Sequence, residues 1–306
     1  MDLQGEYWTT KELIALGMSR RQIERAVGEK ELHRVARGIF ARVEPGGLDL
    51  LRALHHRYPG LVFSGHTAVS LYGHRDTVMR PVQAIVPKGH RLPKSPLVKA
   101  RQSRMGNVCE VEGLPVVSAA AAVAGDTYLN RVGRLRALEQ LYSGFTGRER
   151  FDADWEELPL ALREELDPLL KKCVIGASSQ MERFFHLDLR SRGIETVANF
   201  KLGPYTWDIG VEDGTAVIDL DSFFFHNGRN SRTFIIDRWK ANHAEMMGWG
   251  HLQFTDACLQ DPRAKKAAIA EIERLLAHRR RTGPGAPVLG CVEVGAWEIH
   301  DHLRND

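Results

Sequence analysis

The segment Tyr205–His226, YTWDIGVEDGTAVIDLDSFFFH, decides how the C-terminal half of this chain folds. Asp213-Gly214 stands between two alternating apolar runs, a strong short-range signal for a tight β-hairpin turn. With those two residues as the turn, Glu212 faces Thr215, Asp208 faces Asp219 and Thr206 faces Asp221. The period of two then sets Trp207, Ile209, Val211, Ala216, Ile218 and Leu220 on one face and Asp208, Asp219 and Asp221 on the other. Directly opposed residues hold their Cβ atoms roughly 4.5–5.5 Å apart, and like charges there repel. A cation relieves that repulsion, and Mg²⁺ accepts one or two carboxylates while keeping several waters. A divalent metal, Mg²⁺ or Mn²⁺, is therefore expected at Asp208, Asp219 and Asp221.

The flanking sequence predicts a layered α/β unit over residues 176–280. Ser179 can cap a helix running through Arg192, with Met181, Phe184, Phe185 and Leu189 as its apolar stripe. A strand over Thr196–Lys201 precedes the hairpin. A helix over Thr233–Met247, a strand over His251–Phe254 and a helix over Pro262–Ala277 follow it. Residues 281–306 form a tail that begins rich in Gly and Pro. Upstream, residues 126–175 show helical leucine spacing and an acidic stretch, Phe151–Asp167, and read as a helical connector.

The N-terminus reads differently. Thr9 with Glu12 and Ser19 with Gln22 fit the capping-box pattern, so helices are expected to begin near Thr10 and Arg20. The second helix carries Arg20, Arg21 and Arg25 around Ile23, Ala26 and Val27. Leu32–Val35 and Ile39–Val43 can then pair around Arg37-Gly38, which adds Arg34 and Arg37. Residues 1–43 thus suit a winged helix-turn-helix whose second helix enters a DNA major groove. A helical hairpin with solvated arginines fits the same pattern.

Bulk properties narrow the class. Of 306 residues, 43% are hydrophobic and 26% charged, as in ordinary globular proteins, and the net charge is only +3. Charge is unevenly spread: Arg75, Arg80, Lys88, Arg91, Lys94, Lys99, Arg101 and Arg104 face the single acid Asp76. Such a run attracts a phosphate backbone or forms a solvated face. The four cysteines form no CxxC pair, which suits a reducing cytosol. No apolar run approaches the roughly 18 residues that span a membrane. No secretory signal opens the chain. A cytoplasmic protein without membrane contact is expected.

Two resemblances sharpen this reading. The segments WTTKELIALGMSRRQIERAVGEKELHRVARGIFAR, FSGHTAVSLYGH, PVQAIVPKGHR and VEGLPVVSAAAAVAG resemble, in order, the N-terminal winged helix of AbiEi-type antitoxins and the domain that commonly follows it. The resemblance covers about the first 125 residues. It implies promoter-DNA binding by Arg20, Arg21 and Arg25, an α+β middle region over 44–125 bearing the basic run, and a possible toxin or defence-system partner.

Residues 176–280 resemble the Vsr-like (very-short-patch-repair) branch of the PD-(D/E)XK endonuclease superfamily. The resemblance rests on Ser179 and Glu182, Asp208, Asp219-Leu220-Asp221, His226, Asp237-Arg238, Gly248-Trp249 and Gln253-Phe254-Thr255. It implies a restriction-endonuclease-like α/β domain with a mixed sheet and metal-dependent hydrolysis of phosphodiesters. Asp208 and Asp219 then hold the metal, and Asp221 completes its coordination or holds a water. His226 serves as acid/base or positions water, Glu182 reaches in from the flanking helix, and Arg238 meets DNA. Glu182 also has capping-box spacing from Ser179, and Asp237 suits a helix start, so structural roles compete.

The family usually has Glu in place of Asp219 and Gly in place of Ser222. The lysine of the superfamily motif is absent, as is common in this branch, and so is the zinc set of the repair enzymes. Two functions follow: a DNA-binding, metal-dependent endonuclease, or an antitoxin-like transcriptional regulator with an inactive nuclease-like domain. An RNA-directed nuclease would use the same site chemistry.

Overall fold

Two reciprocal caps start the first helices of the computed structural model, which describes residues 6–75, 77–104, 106–221 and 231–285. Strand β1 (Tyr7–Thr9) runs directly into α1 (Thr10–Ala15), and α2 spans Arg20–Gly28. Thr9 accepts the Glu12 N–H while Glu12 accepts the Thr9 N–H, and Ser19 and Gln22 repeat the exchange. Strands β2 (His33–Ala36) and β3 (Ile39–Ala41) complete an antiparallel sheet of order β1-β3-β2. Trp8, Leu13, Ile23, Ala26, Leu32 and Phe40 fill the core between this sheet and the two helices.

These residues belong to the first of two compact units, Met1–Leu141 with Phe151–Cys173. In the same unit, α3 (Gly47–Arg57) packs on β1 and β3. After it come β4 (Val62–Phe63), α4 (Gly65–Tyr72), β5 (Val82–Pro87), β6 (Val98–Ser103), β7 (Val108–Val111) and β8 (Leu114–Val117). The five strands make a mixed sheet of order β6-β5-β4-β8-β7. Helices α5 (Ala119–Ala124), α6 (Arg131–Leu141), α7 (Gly147–Glu157) and α8 (Leu160–Leu170) follow, and α7 continues from the second unit into the first.

The second unit comprises Tyr142–Arg150 and Val174–Asp306. It holds α9 (Gln180–Arg190), β9 (Val197–Leu202), β10 (Tyr205–Val211), β11 (Ala216–Asp221), α10 (Ser231–Met246), β12 (Gly250–Thr255), α11 (Asp256–Gln260) and α12 (Pro262–Thr282). Its sheet is mixed, of order β12-β11-β10-β9, with β11 and β12 parallel. On one face Ile209, Val211, Ala216, Ile218 and Leu220 pack against α9, α11 and α12 through Phe185, Leu259 and Ile272. On the other, Trp207, Val217 and Leu202 pack with Ala244 of α10. Helix, sheet, helix is the layered arrangement that buries both faces of such a sheet.

Two details differ from the sequence expectation. The β10–β11 register is as expected, with Ile209 opposite Ile218 and Val211 opposite Ala216. The turn, however, is a 3₁₀ segment over Glu212–Gly214 closed by Thr215 at φ 44°, not a two-residue turn. Trp207 also leaves the Ile209 face, because strict alternation fails at Asp208. Its neighbour across β9, Asn199, is left-handed at φ 49°, and the β9–β10 pairs are Trp207–Phe200 and then Ile209–Ala198. The Phe200 ring lies across Gly210, where a Cβ would overlap it. Gly210→Ala is therefore expected to lower stability by about 1–3 kcal/mol through overpacking. Urea unfolding checks this, and an unchanged midpoint would remove the close approach as the reason for glycine.

Candidate functional site

Asp208 sits where β10 and β11 part. Their paired register covers Ile209–Val211 against Ala216–Ile218, and at the next position a side chain takes over from the backbone. Asp208 Oδ2 accepts the Leu220 N–H at 2.7 Å. A carboxylate thus lies between two strands in a place where a carbonyl would ordinarily serve.

Asp219, the residue after the last paired position of β11, is 4% exposed. It is paired with Lys240 of α10, Nζ to Oδ1 2.5 Å, and Lys240 also lies 4.4 Å from the Trp207 ring centroid. The helix that crosses from β11 to β12 therefore brings a half-buried ammonium over the acidic end of the hairpin. His251, the second residue of β12, meets Trp207 edge-on at 4.9 Å. Neither His251 Nε2 nor Trp207 Nε1 has a hydrogen-bond partner among the described residues.

The electrostatics reflect crowding of carboxylates. Burial pushes Asp219 up to about 7; Lys240 opposes this, and the Asp208 and Asp221 charges add to it. Burial also raises Asp208, against the pull of the Leu220 N–H and Lys240, with Asp221 adding to the rise. Glu182 on α9 is raised by burial, the Ser178 N–H opposes, and the Asp208 charge adds. His251 is lowered by burial and then by Lys240, which keeps its imidazole neutral at pH 7. One lysine does not balance four carboxylates that sense one another.

The sequence-derived residues are thus partly brought together. Glu182, Asp208, Asp219 and Asp221 belong to one electrostatic cluster. Glu182 also has a structural duty, since its Oε2 accepts the Ser178 N–H at 2.7 Å at the start of α9. Its capping geometry is not the reciprocal box expected: Ser179 caps Glu182, and Glu182 reaches Ser178 instead. Arg238 is exposed on α10. His226 and Ser222 lie outside the described residues. Lys240 and His251 were not foreseen. Lys240 follows Asp237 by three residues and so shares its side of a helix, a signal visible only once that helix is known to cover the hairpin.

Among the described residues, no three His, Cys, Asp or Glu side chains converge as a metal-holding group, so Asp208, Asp219 and Asp221 are not a three-carboxylate ligand set. Mg²⁺ needs less from a protein: one or two carboxylates, with waters and substrate phosphate oxygens completing the shell. Asp208 and Asp219, hard oxygen donors at the same end of the hairpin, meet that requirement in donor chemistry.

In the first unit, Arg20, Arg34 and Arg37 line one groove on the helix–hairpin element. Arg34 is held by Glu24 of α2 at 2.6 Å, and Arg25 lies 3.8 Å from Glu29. Arg21 and Arg25 are exposed but do not line that groove. Three of the five arginines therefore line this groove, and Arg21 and Arg25 lie outside its lining.

No protein-family model matches the sequence, and no curated protein is significantly similar to it. The chain is slightly similar to the crystal structure of the RV2827C protein from Mycobacterium tuberculosis, with a TM-score of 0.39 and 18% identity over 67% of this chain and 84% of that one. A likeness of that size carries no argument about fold or function. No helix among the described residues is long and apolar enough to cross a membrane.

Asp219 gives a pH signature. Its folded value near 7 lies above the ordinary 3.8, so the folded state keeps this proton where the unfolded chain has lost it. Stability through this group is complete below pH about 4 and is lost as pH rises through 7, with a slope of at most about 1.4 kcal/mol per pH unit. Asp219→Asn, which keeps the shape of the protonated acid, is expected to flatten the profile between pH 5 and 7. Denaturant titrations in chelator at several pH values read this directly. Parallel profiles for the two proteins would refute the assignment.

Proposed function

We propose that this chain acts on DNA, with residues 1–43 as a winged helix and the second unit as a Mg²⁺-dependent, restriction-endonuclease-like hydrolase of phosphodiesters. The observation that carries the reading is the meeting of Asp208, Asp219 and Lys240 at the point where β10 and β11 part. The order β1-α1-α2-β2-β3, with β3 central in its sheet, supports the winged helix. The mixed sheet between α9 and α10 supports the nuclease-like unit. A defence or toxin–antitoxin setting, with a toxin as partner, follows from the sequence resemblance alone.

Asp208 and Asp219 would hold the metal, and the metal when bound supplies polarisation of the scissile phosphate and a lowered pKa for water. The chain's own residues prepare the rest. The Leu220 N–H fixes the orientation of Asp208. Trp207 and Asp219 hold Lys240 so that its charge faces developing negative charge on phosphate without reorganisation. Asp221, two residues after Asp219 on the strand, would hold a water. His251, neutral and with Nε2 unpartnered, is available to accept a proton. Glu182 anchors the start of α9 beside Asp208 and acts by positioning.

One observation favours a second reading. Asp219 already has a half-buried counter-ion in Lys240, so the hairpin can be stable with no metal at all. In that case the second unit is a scaffold and the chain a DNA-binding regulator.

Plasmid cleavage separates the two. With Mg²⁺ or Mn²⁺ the protein is expected to nick or linearise supercoiled DNA, and chelator, Asp208→Asn or Asp219→Asn should reduce cutting to background. Lys240→Met should slow cutting by about 10²–10³-fold while leaving DNA binding intact. Cutting that survives both aspartate substitutions would sink the site. Tight binding without cutting on duplex, single strand and RNA would establish the regulator.

A further inference from the structure

The basic run of the sequence, Arg75 to Arg104, has no part in either reading above, yet the structure sorts it. All eight of its cations are exposed. Two of them, Arg91 and Lys94, reach a groove of about 1460 Å³ shared with the helix–hairpin element. Lys11 of α1, Arg20 of α2, Arg37 at the β2–β3 turn and Arg57 at the end of α3 line it too. Arg101 and Arg104 do not reach it; they line a separate small cavity. Along β6 itself, Gln102 lines the groove and its neighbours Arg101 and Ser103 line the small cavity, as period-two alternation requires.

The groove is strongly and unevenly charged. Glu24 is the one carboxylate among its described lining residues, and Arg34 already neutralises it. Lys11, Arg20, Arg37, Arg57, Arg91 and Lys94 have no ion pair among the described residues. The β5–β6 loop that carries Arg91 and Lys94 is also fixed in place. His90 N–H bonds to the Pro87 carbonyl at 3.1 Å, and Gln102 Nε2 donates to the His90 carbonyl at 2.8 Å. Arg57 is steadied over the Tyr58 ring at 5.1 Å. Six cations without an ion pair among the described residues, spread over the lining of a groove of about 1460 Å³, match an extended polyanion better than a compact anion.

We infer that this groove binds the sugar-phosphate backbone of duplex DNA, and that Arg91 and Lys94 contact phosphates beyond those met by the helix–hairpin element. The inference rests on the DNA-binding reading of residues 1–43 and extends the footprint into the α/β part of the first unit. Arg91 and Lys94 read no sequence in this role; they add affinity and fix the approach of the duplex.

The test is the salt dependence of binding by the full chain to a mixed-sequence duplex, measured by fluorescence anisotropy in chelator. Arg91→Gln with Lys94→Gln is expected to lower the slope of log Kd against log salt by about 2, one unit per lost phosphate contact. Arg101→Gln with Arg104→Gln should leave the slope unchanged. If Arg20→Gln with Arg37→Gln flattens the slope while the loop pair does not, the inference fails and the winged-helix reading stands. If the unaltered chain does not bind duplex DNA at low salt, both fall. Single-stranded RNA that displaces the duplex more effectively than unlabelled duplex does would overturn the choice of DNA.

Discussion

The ion pair between Asp219 and Lys240 is the constraint on which the second unit depends. Once Asp219 has lost its proton, as pH rises through about 7, carboxylate and ammonium compensate one another, and removing either leaves the other charge unpaired in a largely dry place. The pair therefore fixes where α10 lies on the sheet, and with it the path from β11 to the parallel strand β12. Trp207 completes this arrangement by offering a ring face to the same ammonium. The apolar layer on the other face needs no such precision, since Ile209, Ile218, Leu189 and Ile272 make a core that tolerates volume-conserving exchange.

Much of this was legible because short-range patterns report short-range structure. The Thr9/Glu12 and Ser19/Gln22 pairs announce helix starts that appear at Thr10 and Arg20. Two-residue alternation around Asp213-Gly214 sets the register that pairs Ile209 with Ile218 and brings Asp208 and Asp219 to the same end of the hairpin. The register survives a different turn because sliding β11 by one residue would expose Ile218 and bury its neighbours in the wrong layer. The turn itself was illegible, since a 3₁₀ segment with a left-handed Thr215 closes the same strands at the same offset.

What the sequence concealed depends on contacts between distant residues. Nothing near Trp207 signals that a left-handed Asn199 on another strand breaks its alternation. Lys240 reads as one more charge on an amphipathic helix until that helix is laid across the hairpin. The arginines of α2 illustrate the reverse error. They lie close in sequence, but a helix turns by about 100° per residue, so Arg20 lines the groove and Arg21 does not. The basic run is likewise a fact of composition until the fold puts Arg91 and Lys94 on one groove and Arg101 and Arg104 on a separate cavity.

The Asp208–Leu220 hydrogen bond has an evolutionary consequence. A residue whose carboxylate stands in for a strand carbonyl is under selection from the sheet as well as from any chemistry at the same place. Drift would find His251 and Asp221 easier to change than Asp208 or Lys240, because their loss leaves both the junction of β10 and β11 and the Asp219 pair intact. In descendants of this chain, persistence of Asp208 and Lys240 would trace the architecture, whereas joint persistence of His251 and Asp221 would point to a demand beyond it.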